Sequence, residues 1–329
     1  MVKGSKVKWG IMGTGVIAEQ FVTDLAFTST GTPYAVGSRQ MSKAVDFASR
    51  FGIPKAYGSY KELIEDPEVD VVYIATPHRY HLENSLNSLR AGKAVLCEKP
   101  ITVNRQELEE LISEAKARDL FLMEAMWMLF LPPMRQALEW ITEGRIGEVR
   151  LVQAEFGFVG DGEPEGRLLN PELAGGALLD VGVYPVALAT AIYGSQPSQI
   201  MSTSSIGETG VDEQFSALLT YDSGKSASLH GSITLGMRNE AVIHGTEGCI
   251  VLPSMNKAPS AILYKEGQEV ENYSDERQGK GYEYEADEVG RSLLEGRKEC
   301  EWLAPNWSLE VMRLLDALRA QWGLKYPFE

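Results

Sequence analysis

Several features that would mark a special protein class are scarce in this 329-residue sequence. There are 3 cysteines, Cys97, Cys249 and Cys300, odd in number, widely spaced and never in a CxxC pair. That usage offers neither a disulfide framework nor a zinc site, predicts no bound metal, and fits a reducing cytoplasm. Positive charge is in deficit: 31 Lys and Arg stand against 46 Asp and Glu, a formal net charge of −15. A chain this acidic has no bulk electrostatic reason to seek nucleic acid or anionic lipid, so neither is an expected partner. One local basic pocket for a phosphate remains compatible with that balance. Long hydrophobic runs are also missing. Residues 1–15 contain lysines but no apolar core of a signal peptide. Segment 121–134 is apolar but short, and segment 177–194 is interrupted by Asp180, Gly182 and Pro185, so both read as buried elements rather than membrane spans.

What remains is ordinary for a globular protein, 44% apolar and 23% charged. The length predicts two domains, each with a core that needs no staple. The first half alternates strand-like and helix-like runs: strands over 7–12, 33–37, 69–75, 94–97 and 120–123, helices over 16–27, 42–51, 80–91 and 105–117. The run VDVVYIA at 69–75 is nearly continuous in apolar, mostly β-branched residues, as expected for a strand buried on both faces. Such β-α alternation implies an open, doubly wound parallel sheet. The second half has helical patterns over 132–143, 177–193, 282–295 and 308–322, with longer alternating segments at 148–158, 213–221, 226–235 and 239–244. Strands in succession without intervening helices imply a mainly antiparallel sheet. The fold class is therefore α/β, with a dinucleotide-binding domain expected over 1–123 and a second α/β domain over 124–329. The polar stretch 266–281 reads as an exposed loop or edge.

Three motifs carry chemistry. The first is Gly13-Thr14-Gly15-Val16-Ile17-Ala18, which fits G-x-G-x-x-G/A between a strand and a helix. Gly13 would allow the tight turn, Gly15 would let a pyrophosphate approach bare backbone, and Ala18 would let the helix pack on its strand. The helix N-terminus would supply N–H groups to the anion. After the second strand, where NAD-selective sites place a carboxylate, the sequence has Ser38 and Arg39, with Lys43 one turn on. A hydroxyl and a guanidinium suit a 2′-phosphate, so NADP is the expected cofactor, with NAD possible if Arg39 is only a solvated loop charge. Thr76-Pro77-His78 follows the buried strand at the edge where ligands bind in such sheets. His78 reads as facing cofactor or substrate, whereas His81 reads either so or as a helix-start contact.

The second motif is Glu98-Lys99-Pro100, at another strand's carboxyl end. Lys99 there could donate to, or orient, a reacting oxygen, and Glu98 could fix it or meet the nicotinamide ribose. From chemistry alone Lys99 is equally a surface charge. The third runs Gly175-Gly176-Ala177-Leu178-Leu179-Asp180, with Tyr184 four residues on. On a helix Asp180 and Tyr184 would share a face. They read as either a hydrogen-bonded core pair or a carboxylate and phenol that bind a hydroxyl and move its proton. A free phenol holds its proton to about pH 10, and an ammonium such as Lys99 would ease its loss.

In this order and at these separations, the motifs resemble the glucose–fructose oxidoreductase/inositol dehydrogenase (Gfo/Idh/MocA) family over essentially the whole chain. Ser38-Arg39, Thr76-Pro77-His78 and Glu124-Ala125-Met126-Trp127 are most similar to the dimeric dihydrodiol dehydrogenase and NADP-dependent D-xylose dehydrogenase branch. The resemblance implies a Rossmann domain followed by a substrate domain with a large, mainly antiparallel open sheet, whose open face makes a homodimer or higher homo-oligomer. It implies hydride transfer between NAD(P) and a secondary alcohol or ketone of a polyhydroxylated small molecule. Lys99 and Tyr184 become the acid/base pair with Asp180 beside them. Gly13 to Ile17, Ser38, Arg39, Lys43, Thr76, Pro77, His78, His81, Glu98, Lys99 and Trp127 become the cofactor contacts. That branch usually has Arg two residues after the tryptophan; here the position is Leu129, which shifts the burden of NADP preference onto Arg39. The same fold also hosts glycosidases that recycle a bound NAD and non-catalytic nucleotide sensors, and Glu98-Lys99-Pro100, Asp180 and Tyr184 together speak against the sensor.

Overall fold

The computed structural model describes residues 6–194 and 196–329. They form two compact units: the chain up to Trp127 together with Arg277–Leu309, and Met128–Glu276 together with Glu310–Glu329.

The first unit is built on β1 (Val7–Met12), β2 (Gly31–Gly37), β3 (Lys55–Tyr57), β4 (Val71–Ile74), β5 (Ala94–Glu98) and β6 (Leu122–Ala125). All pairings are parallel, in the order β3-β2-β1-β4-β5-β6. This is the doubly wound order whose switch point lies between β1 and β4. The helices α1 (Val16–Leu25), α2 (Met41–Phe51), α3 (Tyr60–Glu65), α4 (His81–Arg90) and α5 (Arg105–Ala117) connect the strands. Caps set several of their bounds: Ser59 and Asn104 accept the Glu62 and Glu107 N–H groups, and Gly52 closes α2 in a left-handed conformation. Trp9, Phe21 and Tyr73 form an aromatic core stack, Phe21 lying edge-on to Trp9 and 3.7 Å face-on from Tyr73.

A later helix, α8 (Tyr282–Leu294), belongs to this unit. Asp24 on α1 is buried, and its Oδ2 accepts the N–H groups of Lys280, Gly281 and Tyr282 at 2.8, 3.0 and 3.0 Å. Asp287 accepts the N–H groups of Ser29 and Thr30. The expected simple division at 123/124 is thus corrected: the break falls after Trp127, and 277–309 joins the first unit because α1 and the loop before β2 satisfy its polar groups.

The second unit holds β7 (Val149–Gly157), β8 (Gln199–Ile206), β9 (Asp212–Tyr221), β10 (Lys225–Ser232), β11 (Ala241–Gly245), β12 (Cys249–Leu252), β13 (Ser260–Lys265) and β14 (Gln268–Ser274). The order is β14-β13-β12-β11-β7-β10-β9-β8, antiparallel except for the β7–β10 pair. The stretch read as a loop or edge contains the edge strand β14, whose residues are all exposed. Helices α6 (Pro132–Thr142) and α7 (Val183–Tyr193) pack on this sheet. Ala217 and Leu219 of β9 are buried, whereas Leu218 between them pairs with Met201 of β8, and both are exposed. Segment Pro171–Tyr193 is long and apolar enough to cross a membrane, yet 89% of its apolar window is buried inside the protein. A last helix, α9 (Pro305–Trp322), closes the chain.

Asp24→Ala should destabilise the protein by about 2 kcal/mol, because three N–H groups, two of them buried, lose a charged acceptor. Urea unfolding checks this, and an unchanged midpoint would show that the docking of α8 does not depend on that carboxylate.

Candidate active site

The turn after β1 is shaped by its glycines. Gly13 has φ +115°, and a Cβ there would lie 2.7 Å from the Ala75 carbonyl oxygen. A side chain is therefore excluded twice, by strain and by the neighbouring strand. Gly15 is different: a Cβ built on it meets nothing within 4 Å. Gly15 is also the N-cap of α1 and provides no side-chain cap, so the first N–H groups of the helix lack the usual intramolecular acceptor. Thr14 and Ile17 are half-buried, Val16 is exposed, and Ala18 is buried against the sheet. After β2, Ser38 is buried, its N–H bonded to Tyr57 O at 3.1 Å. Arg39 and Lys43 are exposed and, among the described residues, make no ion pair.

The loops after β4 and β5 are held by buried side chains. His81 is completely buried, with Nε2 at 2.7 Å from Thr76 O and Nδ1 at 2.8 Å from Pro100 O. Burial pushes its pKa down to about 4, against the pull of both carbonyls. His81 thus sits between two loops with each ring nitrogen against a backbone carbonyl, the single N–H of the neutral ring donating to one of them at a time; this is the contact of its helix-start reading. Thr76 Oγ1 accepts from Asn84 at 3.1 Å, and half-buried His78 lies edge-on to His81.

Glu98 is buried, accepting the Tyr73 hydroxyl at Oε1 and the Lys99 N–H at Oε2. Glu124, which sequence reasoning placed only in a likeness, accepts the Ile101 N–H at 3.0 Å. Burial pushes Glu98, Glu124 and Tyr73 above their ordinary pKa values, Tyr73 far above. Lys99-Pro100-Ile101 is therefore pinned at three successive residues, with the half-buried Lys99 side chain projecting from a fixed turn. Trp127 is buried and stacked on Tyr282 at 4.6 Å within this unit.

In the second unit, Asp180 lies in a π-helical turn, Leu178–Gly182, that runs into α7. The expected uniform α-helix is wider here, and such turns recur at functional positions. Asp180 is buried, and its Oδ1 accepts Arg167 Nη1 at 2.7 Å. Sequence reading missed this partner, which comes from a loop 13 residues earlier; an arginine in an acidic, Gly-containing loop was its only signal. Burial opposes the Arg167 charge, and Asp180 more than offsets it, keeping Arg167 protonated. Tyr184 is buried, edge-on to Phe156 with centroids 5.3 Å apart.

Two family models match this chain: an oxidoreductase family with an NAD-binding Rossmann fold over residues 7–126, and a GFO/IDH/MocA C-terminal domain over residues 134–251. The chain belongs to the Gfo/Idh/MocA family. It is 38% identical to the trans-1,2-dihydrobenzene-1,2-diol dehydrogenase of Mus musculus, covering 98% of both chains. The Homo sapiens enzyme of that name is 37% identical, with the same coverage. Among solved structures, a 3-ketoreductase from Actinomadura kijaniata in complex with NADP and TDP-benzene superposes with a TM-score of 0.87 at 28% identity, covering 96% of this chain and 97% of that one. An aldose-aldose oxidoreductase from Caulobacter crescentus shares the fold, with a TM-score of 0.88 at 23% identity and coverage of 97% and 98%.

As a Gfo/Idh/MocA member, the chain is an NAD(P)-binding oxidoreductase, and the loop after β1 fits that cofactor. The vacant space beside Gly15 and the uncapped start of α1 are what an approaching pyrophosphate requires. Gly15→Ala should leave stability unchanged yet weaken dinucleotide binding on the order of tenfold, about 1.4 kcal/mol. Gly13→Ala should instead destabilise the fold by ~1–3 kcal/mol. Thermal unfolding and NADPH fluorescence titration of both variants separate the two effects, and full-strength binding by Gly15→Ala would remove the anion from that turn.

Proposed function

We propose that this protein is an NADP-dependent dehydrogenase or reductase acting on a secondary alcohol or ketone of a sugar, cyclitol or dihydrodiol-like molecule. The observation that carries this reading is the full-length likeness to the dihydrodiol dehydrogenases, with 98% of both chains covered. The related 3-ketoreductase with NADP bound supports the choice of cofactor. Arg39 and Lys43, exposed and without carboxylate partners among the described residues, offer the 2′-phosphate two cations in place of the carboxylate that would select NAD.

Gly13 to Ile17 would hold the pyrophosphate, Ser38, Arg39 and Lys43 the 2′-phosphate ribose, and Thr76 to His78 with Glu98 the nicotinamide half. When bound, the nicotinamide supplies the carbon that exchanges hydride with the substrate. In oxidation Tyr184 accepts the carbinol proton; in reduction it returns a proton to the carbonyl oxygen. Lys99 stabilises the developing negative oxygen, and Asp180, held by Arg167, orients a neighbouring hydroxyl. The open face of the second sheet, with Met201 and Leu218 paired and exposed, is the proposed self-association surface.

Absorbance at the nicotinamide band, followed with NADPH or NADP and a panel of pentoses, hexoses, their keto forms and trans-diols, tests the activity. Substrate-dependent change supports the reading, and tight binding with no net redox change across the panel would count for a cofactor-recycling hydrolase or a sensor instead. Lys99→Met and Tyr184→Phe should each lower turnover on the order of 100-fold or more while leaving NADPH affinity within a few-fold. Arg39→Ala should weaken NADPH binding about tenfold and spare NADH; equal losses for the two would refute the phosphate role of Arg39.

A further inference from the structure

The helix α7 presents an unusual positioning problem. Its sequence, VYPVALATAIY, is apolar almost throughout, and residues 183–190 are buried. Apolar packing is non-directional, so it fixes a helix's depth in the core better than its rotation or its setting along the axis. Directional contacts must do that, and they gather on the turn that opens the helix. Leu178 N–H donates to Asp212 Oδ2 at 2.6 Å. Three residues earlier, Gly175 O accepts the Tyr326 hydroxyl at 2.7 Å. Between them Gly176 has φ +121°, and a Cβ there would collide with Asp212 Oδ1.

Both anchoring side chains are buried and are themselves held. Asp212, at 0% exposure, begins β9. Tyr326, at 2%, lies under the Arg319 guanidinium, 5.1 Å from its ring centroid. Arg319 makes a two-pronged ion pair with Glu329 at 2.8 and 2.9 Å, and Glu329 Oε2 also accepts the Tyr326 N–H. A strand start and the C-terminal segment therefore grip the same four-residue turn from its N–H side and its carbonyl side.

We infer that Asp212 and Tyr326 are positioning residues for the proton-transfer helix, setting where Asp180 and Tyr184 stand without touching substrate. This deepens the proposed function and rests on its assignment of Tyr184. A displacement of about 1 Å at a reacting group can cost on the order of 100-fold in rate, so a loosened turn has a kinetic consequence. Burial pushes Asp212 up to about 7, against the pull of the Leu178 N–H and Arg319. The titratable and charged groups facing it are Arg319 and Tyr326. Protonation weakens it as an acceptor, so turnover should fall as pH drops through about 7.

The test compares Asp212→Asn, Asp212→Ala and Tyr326→Phe with the parent and with Tyr184→Phe, using trans-1,2-dihydrobenzene-1,2-diol and D-xylose as substrates. Asp212→Ala should lower kcat tenfold or more and Tyr326→Phe several-fold, both with NADPH affinity unchanged. Asp212→Asn, which keeps the shape but accepts only as weakly as the protonated acid, should hold at every pH the lowered rate that the parent reaches below pH 7, and so lose the acid limb. Hydrogen exchange read on peptides spanning 176–184 should quicken in Tyr326→Phe and Asp212→Ala, and this readout needs no substrate. A purely structural role would lower the unfolding temperature but leave the pH profile of kcat in place. Should Asp212→Ala fail to fold, Tyr326→Phe and Asp212→Asn decide alone. Parent-like kcat, pH profile and exchange in these variants, with Tyr184→Phe inactive, would overturn the inference by itself. An active Tyr184→Phe would instead overturn the acid/base reading on which it rests.

Discussion

Parallel strands end together, and the first unit depends on that constraint. Its six strands all run one way. Every loop that follows a strand therefore opens on one edge, however far apart the loops are in sequence. Gly13–Ala18, Ser38 and Arg39, Thr76 to His78, and Glu98 with Lys99 follow four different strands and reach that edge together. The switch of order between β1 and β4 keeps two neighbouring loops from being bridged by one crossover, leaving a crevice. Antiparallel strands would send alternate loops to opposite edges and scatter the same residues.

The two units handle buried charge differently. In the first, Glu98, Glu124, Tyr73 and Glu285 are all buried, and burial pushes each one's pKa up. Neither carboxyl oxygen of Glu285 has a hydrogen-bond partner. Leaving such a group ionised would cost several kcal/mol, so the uncharged acid is the species that fits. In the second unit, buried Asp180 is instead met by a half-exposed arginine at 2.7 Å. The solvent reached by Arg167 moderates the desolvation cost of that pair.

What was legible in the sequence was local. The 69–75 run announced a strand buried on both faces because β-branched residues filled nearly every position. The glycines at 13 and 15 announced their turn because the reasons for them lie within one strand–helix unit. Strand β14 was hidden, since none of its seven residues is buried and no alternation marks it. The β3 strand, three half-buried residues long, gave no period at all. The parallel β7–β10 pairing, the Arg167–Asp180 bond and the grip of Asp212 on Leu178 join segments whose adjacency only the folded chain creates. His81 and Trp127 were found as residues, but their burial, which one ring nitrogen or one indole cannot announce in a sequence, appeared only in the fold.

The return of α8 to the first unit has a consequence for how the chain is born. A ribosome completes β6 by residue 125, but the N–H groups that Asp24 accepts belong to Lys280, Gly281 and Tyr282. At roughly 5–20 residues per second, the nascent sheet waits about 10–30 s for the helix that covers it. Through that interval the three N–H groups that Asp24 accepts in the folded chain do not yet exist. The whole of the second unit's sheet emerges during the wait, so the segment made first is among the last to be finished.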